Sequence, residues 1–231
     1  MDQLHQEDTR LKHSGWLRAA VLGANDGIIS TASLIIGVAS AHPIHSAIVI
    51  AAVAGLIAGA MSMAAGEYIS VSSQADTEKS EIHREQHHIK DNLPQEIACL
   101  KDTYIKRGLE PELADKVAQQ LMAHDAIGAL SRDTLGITET LSAKPFQAAI
   151  ASACCFTAGA ALPVLVVLLS TTAVLIPVLS FFTVIFLALL GMLAAKMGGC
   201  KVIRGAIRVA IWGSLALGVS AGIGRLLGIA V

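Results

Sequence analysis

Charge and aromatic character are both scarce in this chain of 231 residues. Only 15% of them are charged and 4% aromatic, while 54% are hydrophobic and the mean hydropathy is +0.62. A soluble domain carries about 25% charged residues, so these figures exclude that class and point to a polytopic membrane protein. The net charge of −1 leaves no electrostatic footprint for nucleic acid. Four cysteines, Cys99, Cys154, Cys155 and Cys200, lack CxxC spacing, and two of them fall in apolar runs. They read as small hydrophobes rather than as a disulfide framework. Signatures of catalysis are missing as well: there is no GxSxG, no HExxH and no Gly-rich loop followed by Lys-Ser/Thr. The expectation is therefore no enzyme and no cofactor. With no ATP engine, any transport would be driven by a gradient. The opening MDQLHQEDTRLKHSG is too polar and acidic for a cleavable signal peptide, so the first apolar segment has to serve as its own insertion signal.

Long hydrophobic runs supply the rest. After a polar lead (residues 1–14), residues 16–40 are long enough to span a bilayer, and 47–73 form a second run. In that second run Gly55, Gly59, Ser62 and Gly66 recur at spacings of three and four, a stripe that lets helices approach closely in lipid. Three more apolar blocks cover about 146–169, 172–195 and 202–229. Between the second and third runs, residues 74–145 hold nine of the 17 basic and 13 of the 18 acidic residues. This stretch reads as a soluble helical insert. Its first part, Gln74 to Asp91, has no breaker and can continue the second span. Pro94 lies near the start of another helix, which Gly108 ends. Glu110-Pro111 opens a third, with Leu113, Val117 and Leu121 on one face.

The expected fold is all-α, with five transmembrane helices and the insert between the second and third. Its parts are a lead (1–14), spans one and two (15–73), the insert (74–145) and spans three to five (146–231). Placing the N-terminus in the cytoplasm puts 16 of 17 basic residues inside, with only Arg225 near an outside C-terminus. The insert is then cytoplasmic.

Two carboxylates lie within membrane segments, Asp26 and Glu67. An acid at membrane depth costs roughly 2.5–3.5 kcal/mol on insertion scales and marks a functional site by default. Met63 precedes Glu67 by one helical turn and shares its face. Hard carboxylate oxygens beside a soft thioether suit a first-row transition metal better than calcium or magnesium. Two carboxylates are thin coordination, so a second subunit or a rearranged helix would complete the site. The bland alternative makes Asp26 a structural partner and Met63 core packing. In the insert, Glu78, Glu81, Glu85 and His88 form one helical stripe, and His83 and His87 form a neighbouring i, i+4 pair. Such a stripe, facing a second acidic helix with Glu96 or Asp102, can hold a metal. A solvated charged face is the competing reading.

The strings LGANDGIISTASLIIGV, AGAMSMAAGEYISVSSQADTE, YIKRGLEPELADKVAQQLMAHDA and RDTLGI resemble the vacuolar iron transporter family (the CCC/VIT, nodulin-21-like group), from about Leu17 to the C-terminus. The resemblance implies a homodimer of five-span subunits that moves ferrous iron, often also manganese, out of the cytoplasm in exchange for protons. It implies a pathway between the first two helices at the dimer interface, with Asp26 and Met63 at family positions and Glu67 at a more variable one. It further implies that the insert gathers metal, with Glu85 and Glu96 at ligand positions, His88 where a relative has glutamate, and Cys99 near another. This chain departs from the family pattern at Leu130, Ser131 and Thr134, which replace ligands poorly. The compact form and the GEY variant point to a bacterial inner membrane. A metal-responsive membrane binding protein without transport is the alternative.

Overall fold

The computed structural model describes residues 2–41, 44–134, 136 and 144–230, with side chains in 20–41, 44–134, 136 and 144–228. The described residues fold as six helices and no strand: α1 (Asp2–Ala41), α2 (His45–Lys106), α3 (Pro111–Asp133), α4 (Pro145–Leu169), α5 (Thr172–Met197) and α6 (Val202–Ala230). Five of them, all but α3, are long and apolar enough to cross a membrane. Helix α1 is continuous from the polar lead into the first span. Leu135 and Ile137 of the RDTLGI string, and His42 and Pro43 of the first link, lie outside the described residues.

The chain forms two compact units, Met1–Glu67 with Phe146–Val231, and Tyr68–Pro145. The core of the first draws on all five long helices: Ala32, Ile35 and Ile36 of α1, Ile48 and Ala52 of α2, Val164 and Val167 of α4, Leu175 and Leu179 of α5, and Leu217 of α6. Glycine sets several close crossings. A Cβ on Gly27 would strike the backbone of Phe156 and lie 2.9 Å from the Ala160 nitrogen, and one on Gly159 would strike the Ala24 carbonyl. Helices α1 and α4 therefore meet backbone to backbone, as small residues permit in lipid. Only half of the small-residue stripe of α2 is used in this way. Gly55 receives Leu34 and Gly59 receives the Phe156 ring, whereas Gly66 faces open space.

In the second unit α2 runs unbroken to Asn92, where the backbone leaves helical geometry (φ −152°, ψ 60°). Pro94 falls in the first turn of the following arm, a position where its missing N–H goes unused. That arm ends at Gly108 (φ +99°), with Leu109 N–H reaching back to the Tyr104 carbonyl at 3.1 Å. Leu100, Ala118, Met122, Ala129 and Leu130 form this unit's core. In the first half of α3 the buried positions are Ala114, Ala118 and Met122, one place on from Leu113, Val117 and Leu121, and Leu113 is exposed. Alanine lets α3 approach its neighbour closely, leaving the bulkier leucines at the flank. Helix α3 also breaks at Asp125 (φ −155°, ψ 87°), whose carboxylate accepts the Gly128 N–H at 3.0 Å and so caps the last turns.

A clasp joins the end of the Pro94 arm to the end of α3. Arg107 donates to Asp133 Oδ1 at 2.8 Å and to its carbonyl at 2.9 Å, and the Tyr104 hydroxyl donates to Oδ2 at 3.0 Å. Burial opposes ionisation of Asp133, but hydrogen bonds from Arg107, Tyr104 and Arg132 outweigh it and hold the carboxyl below its ordinary range.

Candidate functional site

Two groups of side chains carry the expected chemistry, one in each unit. In the first, the outward stripe of α1 reads Leu22, Asp26, Ser30, all exposed, and ends at Leu34, which lies against Gly55. The Ser30 hydroxyl donates to the Asp26 carbonyl at 2.6 Å, an ordinary back-bond within the helix. The Asp26 carboxylate has no hydrogen-bond or ion-pair partner among the described residues. On α2, Met63 is half-buried and Glu67 exposed, one turn apart on one face. Met61 points away from that face and is 66% exposed. The outward stripe of α2 is Ile50, Val53, Ile57 and Met61. An isolated carboxylate thus stands on the outer surface of a membrane-spanning helix.

The second group is built by the turn at Asn92, which folds the Pro94 arm back on the part of α2 that precedes it. Glu85 is buried at 8% exposure, although it lies on an otherwise charged helix. Glu96 stands beside it, and His88 Nδ1 lies 3.6 Å from Glu96 Oε1. Burial is the main cause that raises the Glu85 carboxyl above its ordinary value, and the nearby Glu96 raises it further while His88 opposes. Burial likewise pushes up the Cys99 thiol, with Glu96, Glu85 and Asp102 adding to it, so this sulfur stays protonated. Of the four insert residues singled out above, Glu85, His88 and Glu96 converge. Glu81 does not join them, because it pairs with Arg84 on the same helix. Leu130 is fully buried in the core, Ser131 is buried with its hydroxyl unpartnered, and Thr134 is the exposed C-cap of α3. Among the described residues no three His, Cys, Asp or Glu side chains close around one point. Glu96 is a hub with two neighbours rather than the centre of a finished cage.

Sequence reasoning passed over the Arg107–Asp133 clasp and the Asp125 cap. The cap has a local signal, an aspartate three residues before Gly128. The clasp joins residues 26 apart, and no short-range pattern announces it.

Fold and site together define an all-α membrane protein with a second, charged helical unit and a carboxylate exposed on its first span. The VIT family profile matches residues 17–225, and the chain belongs to that family. It is 39% identical over 214 residues to a vacuolar iron transporter of Acanthamoeba castellanii, covering 92% of this chain and 79% of that relative. It is 35% identical over 214 residues to vacuolar iron transporter homolog 1 of Oryza sativa subsp. japonica (92% and 74% covered). With vacuolar iron transporter homolog 2.1 of Arabidopsis thaliana the identity is 32% over 224 residues (96% and 86% covered).

Proposed function

We propose that this chain is a proton-coupled exporter of ferrous iron or manganese that works as a homodimer. The observation that carries the reading is Asp26, exposed on a span with no partner among the described residues. Hydrocarbon cannot solvate a carboxylate, so this stripe of α1 needs protein or an aqueous path against it, and a second copy supplies both. Across such an interface Asp26, Met63 and Glu67 of two subunits double the donors that one chain offers. Metal and protons compete for the same carboxylates. An ion that leaves exchanges for protons that enter, and this couples the opposite fluxes. The Met63 thioether favours a transition metal over calcium. Relatives named as vacuolar iron transporters support iron as cargo.

The charge asymmetry supports a cytoplasmic N-terminus and insert, with the C-terminus outside. Glu85, Glu96 and His88 would take up the ion on the cytoplasmic side, where metal and protons compete for the same carboxylates. That cluster also favours a second reading, a metal-responsive binding protein without flux. Proteoliposomes decide between them. Wild-type protein should take up Fe2+ or Mn2+ only under an imposed pH gradient, and Asp26→Ala should lower the rate at least tenfold. Uptake by Asp26→Ala at the wild-type rate would sink the mechanism, and binding without uptake would favour the second reading.

A further inference from the structure

We infer that His83 and His87 form a bis-imidazole site for a divalent cation of the copper, nickel or zinc class. The two rings stand one turn apart on the exposed surface of α2, with centroids 4.7 Å apart and planes at 83°. Their Nε2 atoms face each other at 3.2 Å. A metal bonded to imidazole nitrogens at about 2.0–2.1 Å, placed over a 3.2 Å base, subtends an angle of roughly 100°. That angle lies between octahedral and tetrahedral values, so the spacing of the two nitrogens suits chelation. In the metal-free chain one Nε2–H donates to the other Nε2. Binding requires only that this proton leave and that both rings carry theirs on Nδ1.

The pair is separate from the carboxylates described above. Glu85 lies about half a turn round the same helix from His83 and His87, and it is buried where they are exposed. Among the described residues no third ligand closes on the pair, so water would fill the remaining positions. Two imidazoles with no carboxylate favour the later first-row metals, whose affinity for nitrogen sites exceeds that of manganese and ferrous iron. The insert would then offer two metal environments of different chemistry, an acidic one around Glu96 and a nitrogen one on its outer face.

The inference stands apart from the transport reading, and its test uses no flux. Full-length protein in detergent is titrated with Cu2+ and followed by electron paramagnetic resonance. Wild type should bind one Cu2+ with coupling to two nitrogens. His83→Gln and His87→Gln should each lose that two-nitrogen signature and weaken binding at least tenfold. Both positions are exposed, so neither change threatens the fold. His88→Gln and the double variant Glu85→Gln/Glu96→Gln should keep the signature. Three results would overturn the site: no two-nitrogen signal in wild type, a signal that survives both single variants, or one lost with the two glutamates.

Discussion

Glu85 shows how a single side chain can make the insert sensitive to pH. It holds its proton above the ordinary carboxylate range because it is buried and because Glu96 stands against it. Between its unfolded and folded values the folded insert binds more protons than the unfolded chain. The resulting stability is complete below the ordinary carboxyl value and is lost as pH rises through the raised one. One such group changes the opening equilibrium by at most about tenfold per pH unit. Hydrogen exchange of the insert amides in the intact protein, corrected for intrinsic rates, should accelerate across this window. Glu85→Gln should flatten the slope and slow exchange at neutral pH. An unchanged slope would mean that another group sets it. The same variant should weaken metal-induced protection, because the displaced proton and one ligand are both gone.

Among the elements, α1 and α4 cross with backbone against backbone. The glycines of LGANDG weaken a helix taken alone, yet Gly27 stands where any Cβ would meet the backbone of Phe156 and Ala160. Backbone cannot rotate aside as a side chain can. Gly27→Leu should therefore destabilise the five-helix unit by at least about 1–3 kcal/mol, the usual range for overpacking. Thermal unfolding in detergent reads this, with Gly66→Ala as the control. Gly66 faces open space, so that change should be near neutral. Equal effects of the two substitutions would show that helix propensity, not the crossing, governs both positions.

For the whole molecule, the outward stripes of α1 and α2 carry the main consequence. Ile50 (69% exposed), Ile57 (56%) and Met61 (66%) suit lipid equally well, so apolar exposure alone does not demand a partner. Asp26 does demand one. If a second copy covers it, cysteine at Ser30, one turn from Asp26 on the same stripe, should crosslink rapidly between subunits in native membranes. Cysteine at Phe181, an exposed residue of α5, should not. Equal crosslinking at the two sites would argue against an interface centred on Asp26.

The sequence by itself determined the all-α class and the five long apolar helices in their order. Hydrophobic run length and the Pro and Gly punctuation at Pro94, Gly108 and Pro111 are local signals, and each acts on the chain that carries it. It also determined which acids had to be explained, because Asp26 and Glu67 stand out against an apolar background. The tertiary structure decided what lies against what. It brought Glu85 and His88 of the acidic stripe to Glu96 and left Glu81 with Arg84. It turned Gly27 from a weak helix former into the contact point of two backbones, and it brought Arg107 to Asp133 across 26 residues. These outcomes depend on the turn at Asn92 and on which face of each helix meets a neighbour. Periodicity locates a face, but only packing chooses its partner.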